Sequence, residues 1–169
     1  MVDQIAHFLS GVPKELVTIC IAMLPVSELR GAIPWALAPP PFGGGMTWSE
    51  AYSLAVFGNF IPVIPLLLFL EPASNRLRRY PVFDKFFEWL FTRTRRRGKI
   101  VERYEAIGLI LFVAIPLPIT GAWTGTVAAF IFGVRFWYAL PAVVAGICIA
   151  GCVVTLASLG IISVFGITG

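Results

Sequence analysis

Charge is what this sequence has least of. Only 13% of its 169 residues are charged, where soluble domains carry about a quarter. Hydrophobic residues make up 58%, and the mean hydropathy is +0.87. So little charge excludes an ordinary soluble domain and indicates an integral membrane protein. The chain has the length of one domain, too short to hold a soluble catalytic domain beside membrane segments. Histidine occurs once, as His7, and cysteine three times, as Cys20, Cys148 and Cys152, with no CxxC pair. That excludes a disulfide framework and a metal centre, and the cysteines read as small core residues. No GxSxG, phosphate loop or metal-spaced acid cluster occurs, so no catalytic residue, cofactor or enzyme activity is expected. Residues 1–10 lack a basic n-region and carry Asp3; no cleaved signal peptide is expected, and the mature chain is expected to start there.

Uncharged runs are what the sequence has in abundance. Three reach membrane-spanning length, at 51–70, 106–134 and 136–169, since a span needs about 20 apolar residues. The middle run is too long for one straight helix: at about 1.5 Å per residue it reaches about 44 Å, against a hydrocarbon core of about 30 Å. It also breaks at its centre, where Ile115-Pro116-Leu117-Pro118-Ile119-Thr120-Gly121 removes backbone donors and frees φ. Two half-helices meeting at a tip fit this run. Irregular backbone at that depth persists only inside protein or against a watery cavity, so the tip is expected to face an interior site. Near the N-terminus, 16–27 is uncharged but too short to span, and Glu28-Leu29-Arg30-Gly31-Ala32-Ile33-Pro34 follows it. A second re-entrant hairpin, with Glu28 and Arg30 at its tip, accounts for both the length and the charges. The alternative is an interfacial helix that leaves both charges in water.

The expected fold is an all-α integral membrane protein forming a single domain over 1–169, built as an inverted repeat. The first repeat covers 14–70, with a hairpin at 14–38 and a transmembrane helix at 49–70. A basic amphipathic segment at 71–101 leads to the second repeat at 102–165, with a hairpin at 102–134 and a transmembrane helix at 137–165. Residue identity between the halves is weak. With one span between them the hairpins enter from opposite faces, the plan of many transporters, and their tips are expected near the midplane.

Ten of the 13 basic residues lie between Arg76 and Arg103, against Asp84, Glu88 and Glu102. This local excess of seven positive charges leaves the rest of the chain at minus three. The positive-inside rule then places the central loop in the cytoplasm and both termini outside, for a multi-pass protein of the cytoplasmic membrane. Phe83, Phe86, Phe87, Leu90 and Phe91 share one helical face. Beside Arg95, Arg96 and Arg97 they predict a helix lying in the inner headgroup layer, in contact with membrane lipids. Nucleic-acid binding is the rival reading of the arginines. It is set aside because the aromatics fall on one apolar face instead of interleaving as stacking platforms.

Within the hairpin arrangement, Glu28 and Arg30 are the only ionisable pair held deep in the membrane, which makes them functional candidates. In each hairpin the second half-helix is expected to begin at the tip, after Arg30 and near Thr120, aiming a positive helix end inward. Thr120 suits an N-cap and Pro34 a first helical turn. With Arg30 these ends favour an anion such as a phosphate or carboxylate head group. Glu28 either holds Arg30 in place or exchanges a proton, since burial and a neighbouring guanidinium pull carboxyl protonation in opposite directions. A plain ion pair that pins the tip is the non-functional alternative. Asn59, the one strongly polar side chain of the first span, either bonds carbonyls freed by Pro62 and Pro65 or lines the cavity. Gly31, Pro116, Pro118 and Gly121 shape the tips, and Trp123 and Thr124 either wall the site or only pack. The candidate substrate or proton site is thus Glu28, Arg30, Gly31, Pro34, Asn59, Pro116, Pro118, Thr120, Gly121, Trp123 and Thr124.

The stretch Glu28-Leu29-Arg30-Gly31-Ala32-Ile33-Pro34 resembles the ELRGAIP motif of the small multidrug export protein family. Gly58-Asn59 with Pro62 and Pro65, and the run from Ile115 through Gly125, look like the same family. Ile119 departs from it, standing where glycine is expected. The family is similar in layout to the DedA superfamily, whose members are associated with lipid translocation and proton-dependent transport. The resemblance, with the site above, implies a transporter or scramblase moving an anionic lipid head group, a phospholipid or polyprenyl phosphate, with Glu28 coupling to protons. Two other functions stay open: drug or small-cation efflux by proton exchange at Glu28, and a non-transporting membrane organiser acting through Phe86, Phe87 and Arg95 to Arg97. Two spans and two hairpins make a small enclosure, so a homodimer is expected.

Overall fold

The computed structural model describes residues 12–77, 99–116, 121–132 and 134–164. Every regular element among them is helical: α1 (Lys14–Met23), α2 (Glu28–Leu37), α3 (Trp48–Phe60), α4 (Val63–Leu77), α5 (Lys99–Ala114), α6 (Ala122–Ile131) and α7 (Phe136–Val164). Among the described residues two stretches are long and apolar enough to cross a membrane, Trp48–Leu70 and Phe136–Ile161. The first covers the transmembrane helix expected at 49–70. It turns at Ile61 and Pro62, between α3 and α4, because Pro62 and Pro65 bring no N–H to the helical ladder. The basic segment expected from 71 starts as a continuation of α4, and residues 78–98 lie outside the described residues.

The chain divides into two compact units, one of Met1–Asn59 with Gly151–Gly169 and one of Phe60–Ala150. In the first unit α1 and α2 pack together as a helical hairpin. The interior is made of small residues: Ala22, Ala32, Ala36, Ala51 and Ala55 are fully buried, with Ile33 among them. Large apolar side chains such as Leu16, Val26, Phe57 and Leu156 face outward. Lipid is as apolar as leucine, so membrane helices gain by close backbone approach at small residues, and large side chains face the acyl chains at no cost. Gly58 shows such an approach: a Cβ there would lie 2.7 Å from the Ile19 carbonyl oxygen and 2.9 Å from Ala22 Cβ. The C-terminal part of α7 rests on α3, with Gly151 against Tyr52 and Val56 and Cys152 Sγ 3.8 Å from the Tyr52 hydroxyl.

Both ends of the 38–47 connection are fastened. The Gly44 N–H donates to the Trp35 carbonyl (3.0 Å), Met46 to Ala36 (2.9 Å) and Gly45 to Ala38 (2.9 Å), which satisfies carbonyls that the end of α2 would leave orphaned. At the start of α3 the Glu50 carboxylate accepts from the Thr47 N–H (3.0 Å) and hydroxyl (2.9 Å), and the Glu50 N–H donates to Thr47 Oγ1 at 3.4 Å. This is a capping box, and it fixes where α3 begins.

In the second unit α6 packs against both α4 and α5. Its buried face is Ala122, Gly125, Thr126 and Ala129, the i, i+3, i+4, i+7 stripe of a helix covered on one side. Val113 of α5 fills the notch left by two glycines. A Cβ on Gly125 would collide with Val113 Cγ2, and one on Gly146 of α7 would lie 2.6 Å from Val113 Cβ.

Candidate functional site

The charged motif belongs to the α1–α2 turn. Its geometry follows from hydrogen bonds that close at Leu24 to Ser27: Leu24 N–H to Ile21 O at 3.3 Å and Glu28 N–H to Leu24 O at 3.0 Å. The Ser27 hydroxyl donates to Ile21 O at 2.6 Å, so Ser27 ties off the end of α1 and makes no side-chain cap on α2. The chain re-enters helix at Glu28, whose φ is +45°, a left-handed backbone that a side-chain-bearing residue adopts at a cost of about 1–3 kcal/mol. The Gly31 N–H then bonds Ser27 O at 2.9 Å, which is already helical spacing.

This corrects two expectations. The second half-helix starts at Glu28 and not after Arg30, so both charges lie within the first turn of α2. Pro34 accordingly sits inside the helix and not in its opening turn. It brings no N–H to the Arg30 carbonyl four residues before it. Glu28 is 5% exposed and Arg30 half-buried, and both have interactions with neighbouring groups. Gly31 is required by space, since a Cβ would come 2.7 Å from Ser27 Cβ. The first turn of α2 therefore carries an acid and a base together, at the helix end where backbone N–H groups have no intrahelical acceptor.

Asn59, one residue before the end of α3, is 1% exposed. Its Oδ1 is buried without a hydrogen-bond partner.

The second tip is carried by α6. Pro116 is half-buried, Gly121 buried, Trp123 half-buried and Thr124 exposed. The N-cap is Gly121, with extended backbone and no side-chain cap, which corrects the assignment of that position to Thr120. Gly125 N–H bonds Gly121 O at 2.8 Å and Thr124 Oγ1 donates to the same carbonyl at 3.4 Å, so the helical ladder starts at Gly121. Pro118 and Thr120 themselves lie outside the described residues. So do Phe86, Phe87, Arg95, Arg96 and Arg97.

Among the described residues no group of three or more His, Cys, Asp or Glu side chains is placed to hold a metal ion. Sequence reasoning missed the buried Thr18, whose hydroxyl donates to Lys14 O at 2.9 Å and approaches Met46 Sδ at 3.7 Å; no motif marks it. It also missed Ser27, whose signal was present as a hydroxyl residue immediately before the charged motif.

Comparison with known proteins gives one match. A family model described as putative small multi-drug export protein matches residues 28–153, from the buried glutamate into the last helix. No curated protein and no solved structure matches the chain.

Proposed function

We propose a specific cargo from one premise, that the chain belongs to the small multi-drug export protein family. The family is one of export proteins and not of enzymes, so a membrane transport role follows from membership, and with the two apolar spans a membrane location. Beyond that, our reading is a transporter or scramblase for an anionic lipid head group, a phospholipid or polyprenyl phosphate. The supporting observation is the first turn of α2, where the half-buried Arg30 sits at a helix start whose dipole also favours an anion. Glu28, buried two residues before it, holds Arg30 while no cargo is bound or takes a proton as cargo leaves. The basic central segment faces the cytoplasm in this reading, the termini lie outside, the membrane is the cytoplasmic one, and the working unit is a homodimer in contact with lipid.

The family description favours a second reading, efflux of drugs or small cations with Glu28 as the exchanging carboxylate. The two separate on paired substitutions in proteoliposomes. For a head-group carrier, Arg30→Ala removes charge-assisted bonds that contribute about 1.5–3 kcal/mol each and slows transport by roughly ten- to a hundredfold, while Glu28→Gln retains part of it. A cation exchanger gives the reverse order. Normal transport in the double variant Glu28→Gln, Arg30→Ala contradicts both.

A further inference from the structure

A polar atom that a membrane protein buries without a partner asks for one. Asn59 is the twelfth of the 23 residues of the Trp48–Leu70 span, with eleven residues of that apolar stretch on either side of it in the sequence. Its Oδ1 is buried and unpartnered, an arrangement that costs about 1–3 kcal/mol inside a protein and more against hydrocarbon. An apolar residue of similar size would avoid that cost.

The surroundings indicate what kind of partner is wanted. Asn59 lies in the last turn of α3, where carbonyls carry the negative end of the helix dipole. The Gly58 carbonyl would look for its donor four residues on, at Pro62, which has no N–H. Asn59 Oδ1 and the Gly58 carbonyl are thus adjacent along the chain, the first without a hydrogen-bond partner and the second without its helical donor. Neutral oxygens at the C-terminal end of a broken helix repel an anion and suit a hard monovalent cation, as unwound helix ends do in other carriers. We infer that Asn59 Oδ1, with the Gly58 carbonyl, marks a Na⁺-binding site in the middle of the first span. It uses none of the residues of the charged turn. If the chain moves an anionic head group, Na⁺ bound here offsets cargo charge; the site itself does not rest on that reading.

The test is binding, not transport. Purified full-length protein in detergent is titrated with ²²Na⁺ at constant ionic strength in choline chloride, as wild type, Asn59→Asp and Asn59→Leu. The expected result is saturable binding displaced by unlabelled Na⁺ and not by choline. Asn59→Asp tightens it, and Asn59→Leu weakens it by roughly tenfold or more, the loss of one bond to a charged partner. Absence of saturable binding in the wild type overturns the site and leaves water as the amide's partner, and so does equal binding by Asn59→Leu. Should Asn59→Leu fail to fold, the wild type and the Asp variant decide: an unchanged affinity in Asn59→Asp counts against the assignment. Lipid transport plays no part in this readout, so failure of the carrier reading and failure of the cation site are told apart.

Discussion

Replacing Gly58 by alanine adds one methyl group to α3 where α1 passes closest. The new Cβ would lie 2.7 Å from the Ile19 carbonyl oxygen, 2.9 Å from Ala22 Cβ and 3.0 Å from Ile19 Cα. Two of those three atoms are backbone, so relief requires moving a helix and not a side-chain rotamer. Overpacking of this kind costs about 1–3 kcal/mol, and the gain in helix propensity from glycine to alanine returns at most about 1 kcal/mol. Because the close atoms are backbone, the upper part of that range, about 2–3 kcal/mol, applies, and the net expectation is a loss of about 1–2 kcal/mol, roughly a five- to thirtyfold fall in the ratio of folded to unfolded protein. Gly108 of α5 is the control, since nothing lies within 4 Å of a Cβ built there. Gly108→Ala should be neutral or stabilising by up to about 1 kcal/mol. Unfolding of both variants by sodium dodecyl sulfate in mixed micelles, followed by circular dichroism, measures the difference. A Gly58→Ala protein as stable as wild type, or a Gly108→Ala protein that loses as much, refutes the close crossing of α1 and α3.

Two further stability predictions follow from packing and capping, and one from the charged turn. Thr47→Ala removes the capping box at the start of α3 and should cost about 0.5–1 kcal/mol, whereas Thr47→Ser should retain most of it; the same unfolding assay applies, and equal losses would leave the box without energetic weight. Gly146→Ala should destabilise through Val113, and adding Val113→Ala should recover part of the loss, with a coupling of about 0.5–3 kcal/mol in a double-mutant cycle; simple additivity would mean that the two do not meet. In proteoliposomes, Arg30→Ala should depress transport more than Glu28→Gln, and the opposite order moves the assignment to cation efflux.

The large features of the fold were legible because they rest on length and charge. A run of 12 uncharged residues before Glu28 and Arg30 is too short to span, and two short helices, α1 and α2, occupy it and the motif after it. The last helix was readable from its uninterrupted hydropathy alone. Torsions and individual hydrogen bonds were not. The break between α3 and α4 was written in Pro62 and Pro65, yet whether a proline kinks a helix or interrupts it depends on neighbouring packing. The entry of α2 at Glu28 depends on a bond to Leu24 O and a positive φ, which no spacing rule gives. Gly121 takes the cap expected of Thr120 because α6 begins at Ala122, and helix starts are uncertain by a residue or two from pattern alone. The fastening of Gly44 and Gly45 to the end of α2 comes from unpaired carbonyls that only the folded chain reveals.

The central claim is that the cargo is an anion. Its most direct measurement loads the same proteoliposomes with fluorescent phosphatidylglycerol, fluorescent phosphatidylcholine or a lipophilic cation, and follows movement across the bilayer with and without a pH gradient. The account predicts that the anionic lipid moves faster than the zwitterionic one, that the cation stays behind, and that Arg30→Ala erases the preference. Movement of the cation driven by the pH gradient, with no preference for the anionic lipid, would contradict it.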